Sequence, residues 1–576
     1  MSQDQGTSAE TAAVSASGPA TNGGPAVDGG PAVDARGAGL GAVGRLAGLP
    51  GRVRRSAAAS DPVVWLIALA TFAVYAADAV SRVIRVDPAS QDIGIFTEYV
   101  HQYADLHAPI VAIRGPGFDL MGDHFTPIVA LLAPFFRVFP SPATLVVAQA
   151  LLTAVSVFPI CRAARDHLGV GVSRAVGLAY GFSWGLQSMN NFDFHEVAFA
   201  VPLLAFSLSA LVRRRPWAAV RWALPLVFIK EDQGFTVAAI GVVMLGAALM
   251  TRWRGGRRGG EAGKGFTGRA GAGAWARAGG LLVVWGLGWS ALAIFVLIPA
   301  LNPHHVYLYW QWGGSAVGRS HLSTGGLFSQ IGVSGQEKLQ TTLMILLPVL
   351  FLALRSPLVL VTGPSLLLRF VSTHDTFWSW NPGYHYNATV MPIVFVAGID
   401  ALARLSGRTA GQVRGAHRGE APNRLLVSLR AALPAVAAAG MVAVAAWLAL
   451  NYPLASLFKP STYAVSPNAR AQEHAMAMVP DGATVETTMT MLAAMAARDT
   501  STSWITTPAR RGSVLPGIHD PQYVLFDAVR SNINPKPPNP RTYVEQQHPG
   551  TVYRQLYSSR GVYLFRRVDP PITGRS

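Results

Sequence analysis

The sequence predicts an α-helical polytopic membrane protein of about 11 transmembrane helices, with a small extracytoplasmic α/β appendage at its C-terminal end. Three observations carry that reading. Hydrophobic residues fill 51% of the 576 positions and charged residues 13%, where a soluble chain carries roughly a quarter charged residues. Apolar runs of bilayer-crossing length recur, since roughly 30 Å of hydrocarbon at 1.5 Å per residue takes about 20 residues. The basic residues collect in alternate loops. This composition excludes an ordinary cytosolic enzyme and a nucleic-acid-binding protein, despite a formal net charge of +17. Cys161 is the single cysteine, so neither an intrachain disulfide nor a cysteine-based metal site can form.

Residues 1–60 are rich in Ala, Gly and Ser and are expected to be a disordered cytoplasmic segment. The transmembrane domain follows over 61–450. Its spans are expected near 62–81, 142–161, 173–189, 196–212, 217–230, 234–250, 279–300, 339–354, 357–371, 386–404 and 425–450. The first begins far from the start and is long enough to cross, so it reads as an uncleaved anchor and not a signal peptide. The stretch 125–139 holds Pro127 and Pro134 and is too short to span; it reads as a re-entrant or interfacial helix. With that assignment Arg36 to Arg55, Arg162/Arg165/Arg174, Arg213–Arg215, the Arg252 to Arg277 stretch and Arg404 to Arg424 all fall on one side. Positive charge marks the cytoplasmic side. The reading is thus a multi-pass membrane protein, its N-terminus cytoplasmic and its C-terminus extracytoplasmic. Residues 451–576 have the turn and strand signals of the appendage: Val479–Val485 as a turn entering a strand, 487–498 as a short helix, Tyr523–Asp527 and Gly561–Arg567 as strands, and 535–541 as a Pro-rich loop.

The polar chemistry gathers on the outer side. Twelve of the 14 histidines lie there, and the first outer loop, 82–124, holds six acids against three bases. Five clusters recur at outer helix ends: Asp92 in Gln-Asp-Ile-Gly-Ile-Phe, Asp123 and His124 in Gly-Asp-His-Phe-Thr-Pro, Asp193, His195 and Glu196 in Asn-Phe-Asp-Phe-His-Glu, the turn Lys230-Glu231-Asp232, and His385 in Tyr-His-Tyr-Asn. In an extended segment Asp193 and His195 would point the same way. Each cluster alone is compatible with a solvated helix cap. Three charges in a two- or three-residue turn between apolar helices are less easily solvated, because charge at membrane depth is expensive without partners. Carboxylates, imidazoles and a cation suit general-base catalysis with an anionic leaving group. They suit equally a divalent cation, which leaves metal ligands and cofactor unassigned, or a proton-coupled transport path.

The motifs Asp92-Ile-Gly-Ile-Phe, Gly122-Asp-His-Phe-Thr-Pro, Phe192-Asp-Phe-His-Glu and Lys230-Glu-Asp, in this order, resemble a family of bacterial predicted membrane proteins catalogued as a domain of unknown function. The resemblance covers roughly residues 62–560. More distantly the chain is similar to the GT-C class of polytopic glycosyltransferases. These take sugars from polyprenyl-phosphate carriers, and have a long first outer loop with an early acidic residue. Asp92 matches that position, whose carboxylate serves the class as base or metal ligand. His124-Phe-Thr-Pro127 looks like the start of the following helix, without the second proline of that class. Loop one also lacks an Asp-Asp or Glu-x-Asp pair. The resemblance implies a transferase using a lipid-phosphate sugar, its phosphate near Lys230 and Arg114 or Arg369. Asp92 would deprotonate the acceptor, assisted by Asp123 and His124. Asp193, His195, Glu196, Glu231, Asp232 and His385 would hold substrate. A transporter or flippase of a lipid-linked intermediate, or a non-catalytic membrane scaffold, are the alternatives.

Overall fold

The computed structural model describes residues 61–257, 271–307, 309, 334–371, 379–407, 424–498, 501–504, 520–530 and 539–568. The expected disorder of 1–60, its arginines, and most of the 535–541 loop lie outside these residues, as do parts of the Arg252–Arg277 and Arg404–Arg424 stretches. Among the described residues, six helices are long and apolar enough to cross a bilayer: Pro62–Ile84, Pro142–Leu168, Gln233–Arg254, Gly271–Leu301, His385–Leu405 and Ser428–Asn451. Local signals start them. The Asp61 carboxylate accepts from the amide of Val63 ahead of Pro62, and the Ser141 hydroxyl accepts from that of Ala143 ahead of Pro142. Each side chain thus satisfies an orphan donor of a first turn, where proline costs no hydrogen bond.

The other five expected spans run as shorter pieces, and proline is the main reason. A proline removes an amide donor and its ring collides with the preceding turn. Pro225 lies in a 3-10 run, Leu224–Phe228, that follows the short helix Pro216–Ala223. Pro348 precedes a reversal in which Leu350 and Phe351 both take left-handed φ. Pro357 and Pro364 divide a 3-10 run, Pro357–Thr362, from the helix Gly363–Phe370. The 173–189 segment breaks at Phe182–Ser183, between helices Val170–Gly181 and Trp184–Asn191. Glu196–Phe199 is a 3-10 turn leading into the helix Ala200–Val212. The 125–139 stretch is likewise a 3-10 run, Pro127–Leu132, joined to the six-residue helix Ala133–Val138.

Two helices meet unusually closely. A Cβ on Gly234 would lie 2.3 Å from the Gly286 carbonyl oxygen, and one on Gly241 would lie 2.5 Å from that of Gly279. Small residues at such crossings let backbones touch where lipid offers no hydrophobic drive for association. The second of these helices continues through a π-helical turn, Ala293–Leu297, to Leu301. Such turns are rare and recur at functional sites.

The C-terminal region folds as a five-stranded mixed sheet of order β2-β1-β3-β5-β4. The strands are β1 Thr484–Thr487, β2 Ser501–Trp504, β3 Tyr523–Asp527, β4 Tyr553–Ser559 and β5 Val562–Arg567. Strands β2, β1 and β3 are parallel, while β5 runs antiparallel to β3 and to β4. Alternation splits the central strand. Tyr523 and Leu525 enter one core with Val485, Met491 and Leu564, and Val524 and Phe526 enter another with Tyr543 and Phe565.

Candidate functional site

The turn that follows the first helix is pinned from below. Arg82 is buried near the end of that helix. Its guanidinium donates to the carbonyls of Asn190 and Asn191 and stands 3.3 Å from Asp193 Oδ1 and 3.8 Å from Asp78 Oδ2. Asp193 has a left-handed φ of 68°, so it and His195 diverge instead of sharing one face of an extended segment. Its Oδ2 accepts from the amides of Ala89, at 2.6 Å, and Ser90, at 3.3 Å. Burial pushes the Asp193 carboxyl up to about 6, against the pull of Arg82. Gln149 ties the segment down further. Its amide nitrogen donates to the Asp193 carbonyl at 2.6 Å, and its oxygen accepts from the His195 amide at 3.0 Å.

The chain then enters the helix Asp92–Ala104, with Ser90 Oγ accepting from the Asp92 amide at 3.1 Å. Asp92 occupies the first helical position, where the helix dipole favours an anion. Among the described residues, nothing makes a hydrogen bond or ion pair with its carboxylate. Burial raises its pKa above the ordinary carboxylate value; His195 opposes that rise, Glu196 adds to it, and Arg114 and Lys230 oppose it.

Asp123 and His124 are held from three directions. Both oxygens of the buried Glu98 accept backbone amides, from Ala112 at 3.0 Å and Ile113 at 3.1 Å. That clamp sets up the short turn carrying Arg114, whose Nη2 is 2.9 Å from Asp123 Oδ2. Tyr309 donates to Asp123 Oδ1 at 3.1 Å, and its ring stacks on His124 at 4.2 Å. His124 Nδ1 lies 2.7 Å from Glu231 Oε1, which also accepts from the Tyr307 hydroxyl at 3.0 Å. Burial would raise the Glu231 carboxyl, yet His124 and Lys230 more than offset it and hold it below its ordinary value. The arm bearing both tyrosines reaches the site because Gly122 has no side chain: a Cβ there would lie 2.6 Å from the Asn302 amide nitrogen. Asn302 Nδ2 donates to the Gly122 carbonyl at 2.8 Å.

The third arm is a buried chain of contacts. Lys230 Nζ stands 3.2 Å from Glu196 Oε1, and the other oxygen of Glu196 meets His195 Nδ1. The His195 ring stacks on His385 at 3.6 Å, with Phe96 edge-on at 5.2 Å. His385 is buried, and neither of its ring nitrogens has a hydrogen-bond partner among the described residues. Asp232 accepts from Gln233 at 3.1 Å. Burial, the largest influence, raises its carboxyl above the ordinary value.

His195, Glu196, Lys230 and Arg114 are therefore close enough to act on the charge of Asp92, and His124 with Glu231 adjoins Glu196 and Lys230. Asp193 also feels the Asp92 charge, but its own carboxylate is engaged with the Ala89–Ser90 turn and Arg82. Among the described residues, no three of His, Cys, Asp and Glu are grouped so as to hold a metal ion. Sequence reasoning passed over Arg82, Glu98, Tyr307 and Tyr309. A detectable signal existed for Arg82, a cation near the end of an apolar span, which needs a buried partner. Nothing local singles out Glu98 or the tyrosines, whose partners lie 14 to 186 residues away in sequence.

Three residues beyond Asp232 begins an apolar groove of about 940 Å³. It runs between the two close-packed helices and the Pro357–Phe370 segment, from Phe235 to Arg254 and Arg404. Nineteen residues of helix separate its two ends, roughly 28 Å at 1.5 Å per residue.

The family described as predicted membrane protein (DUF2079) matches residues 86–564. No curated protein matches the chain. Among solved structures, ArnT from Cupriavidus metallidurans bound to undecaprenyl phosphate aligns at 15% identity and a TM-score of 0.46, over 88% of this chain and 98% of that one. The apo state of the same protein aligns at 15% identity and 0.45, over 87% and 97%. The archaeal oligosaccharyltransferase AglB from Archaeoglobus fulgidus, in complex with an inhibitory peptide and a dolichol-phosphate, aligns at 12% identity and 0.32, over 80% and 69%.

Proposed function

Since the chain belongs to the predicted-membrane-protein family DUF2079, we propose that it is a membrane transferase acting on a polyprenyl-phosphate-linked sugar, with Asp92 as general base. The observation that carries this reading is the state of Asp92. It alone among the acids of the cluster has a carboxylate free of hydrogen bonds and ion pairs among the described residues, and it sits at a helix N-terminus beside His195, Lys230 and Arg114. A carboxylate raised by burial and left unpaired is available to take a proton, whereas its neighbours are occupied with one another.

In this reading an acceptor hydroxyl gives its proton to Asp92 as its oxygen attacks the anomeric carbon. The bond from that carbon to the phosphate oxygen breaks, and the lipid phosphate leaves with the electron pair, inverting the centre. Lys230 and Arg114 are the cations that would face that phosphate; the guanidinium of Arg369, the alternative to Arg114, is taken up by the Ser379 and Tyr386 carbonyls and Asn387 Oδ1. Asp123, His124 and Glu231 hold the acceptor side, and His195, Glu196, Asp232 and His385 the donor side. Asp193 positions the turn before Asp92. The groove starting at Phe235 would take the isoprenoid tail, since its length is close to the roughly 30 Å of a hydrocarbon core. Arg254 and Arg404 mark its far end. That end belongs to the Arg-rich loops, and the charge bias supports an extracytoplasmic position for the cluster.

The test is transfer from a radiolabelled polyprenyl-phosphate sugar by purified protein and by Asp92→Asn. Loss of transfer with unchanged lipid binding supports the reading, and unchanged transfer removes Asp92 as base. One observation favours the second reading, movement of a lipid-linked intermediate across the bilayer: the groove runs the length of the helices and is basic at its far end. Lipid scrambling by reconstituted protein, without any transfer, would establish it instead.

A further inference from the structure

The C-terminal sheet is joined to the segment that carries Asp92 at three separate places. Val86, in the turn between the first helix and Asp92, is 7% exposed and lies in the hydrophobic core of the sheet, among Met491, Tyr523, Leu525 and Leu564. Its φ of 51° is left-handed, a conformation that a β-branched residue adopts only where its surroundings impose it. Arg530, three residues past the end of β3, donates from Nη1 to the Val86 carbonyl at 2.9 Å, and its Nη2 meets the Asp87 carboxylate. Beyond Asp92, the helix Met489–Ala496 packs on the helix Asp92–Ala104. A Cβ on Gly94 would lie 2.7 Å from Leu492 Cγ, and His101 Nδ1 is 3.0 Å from the Ala496 carbonyl oxygen.

Asp92 thus sits in a segment gripped on both sides of it in sequence. The membrane-embedded helices hold Ala89 and Ser90 through Asp193 and Arg82, and the sheet region holds Val86, Asp87, Gly94 and His101. The carboxylate itself has no partner to fix it among the described residues, so its placement depends on the backbone beneath it. A hydrophobic plug, a charge-assisted hydrogen bond and a glycine contact together constrain that backbone more than any one would. A region that merely recruited partners would need none of them.

We propose that the C-terminal α/β region is the positioning element for Asp92, acting through Arg530 and through its grip on Val86 of the Asp92 segment, rather than an independent binding module. This rests on the reading of Asp92 as the base, and the experiment separates the two. Full-length Arg530→Ala, Val86→Ala and the double variant are followed by hydrogen exchange of the amides over 86–96 and by transfer kinetics, beside Asp92→Asn. The expected result is exchange over 86–96 faster by about tenfold or more in the double variant, because the opening free energy there falls. Transfer should lose about 10- to 100-fold in kcat with KM within about twofold, since misplacement of a reacting group acts in the transition state. Arg530→Lys, which keeps one donor, should recover part of both effects. Unchanged exchange over 86–96 in the double variant overturns the proposal whatever Asp92 does. Faster exchange with undiminished kcat, in a protein that Asp92→Asn inactivates, overturns it as well. Asp92→Asn retaining full transfer would defeat the base assignment and, with it, the positioning role.

Discussion

Replacing Gly122 with alanine pits two effects of opposite sign against each other. Gly122 lies in the 3-10 turn Leu120–Gly122, directly before Asp123, and its φ is outside the left-handed region. Nothing in its backbone therefore demands glycine. On conformational grounds alone, alanine there would stabilise by about 0.5–1 kcal/mol, by restricting the unfolded chain. The tertiary contact says the reverse. The new Cβ would lie 2.6 Å from Asn302 N and 2.6 Å from the Leu301 carbonyl carbon, both backbone atoms that cannot swing aside. Overpacking of this kind costs about 1–3 kcal/mol. Pushing the arm away also loses the 2.8 Å bond from Asn302 to the Gly122 carbonyl, about 1 kcal/mol more. The expected net is a loss of about 1–3 kcal/mol, together with displacement of Tyr309 from His124 and Asp123. Thermal unfolding of the purified protein in detergent reads the sign directly. Gly117→Ala serves as a contrast, since Gly117 has φ +68° and open space around it. Its cost is conformational and should leave the tyrosine arm in place. A melting midpoint that stays level or rises in Gly122→Ala refutes the close approach of the two segments, and with it the account of how the tyrosines reach the site.

Four further outcomes follow. Arg82→Leu should destabilise by about 3–5 kcal/mol, measured as a lowered unfolding midpoint, because it strands the buried carboxylates of Asp78 and Asp193. Transfer should decline as pH falls through the Asp92 pKa. That group is raised by burial, so protonation begins above the ordinary carboxylate range and the acid limb lies above it too; a kcat/KM profile flat down to pH 4 contradicts this. His385→Phe should leave stability within about 1 kcal/mol, since among the described residues neither buried ring nitrogen has a hydrogen-bond partner and the stacking on His195 survives, while reducing substrate binding. Val242→Trp, on the groove wall, should lower retention of polyprenyl phosphate in the purified protein with little change in melting.

Several parts of the architecture are legible in local pattern. The six long apolar helices coincide with six of the expected spans, because a continuous run of about 20 apolar residues has few alternatives in lipid. The expected strands at Tyr523–Asp527 and 561–567 correspond to β3 and β5. The breaks within the other five expected spans were not legible, because hydropathy averages over a window, whereas a single Pro225 or Pro348 changes the backbone at one residue. Strands β2 and β4 escaped because Ser501–Trp504 and Tyr553–Ser559 are short and polar. At the site, the residue types in the five clusters marked where buried charge gathers, since charge is costly beside apolar helices. Their pairings were not legible. Asp193 and His195 are two residues apart yet serve different arms, separated by one left-handed φ.

What the sequence by itself determined is which residues had to be accounted for. Hydrophobic length sets where the chain can cross a bilayer, and a charge at the end of such a run requires a partner or a task. Both are local quantities, readable without a fold. Only the tertiary structure decided which charges are already neutralised. Glu196 meets Lys230, Glu231 meets His124, Asp123 meets Arg114 and Asp193 meets Arg82; Asp232 has only the Gln233 amide, and among the described residues the Asp92 carboxylate has neither hydrogen bond nor ion pair. Coulomb and hydrogen-bond energies depend on separations of a few ångströms between groups up to 444 residues apart in the chain, and spacing in the sequence carries no record of those distances.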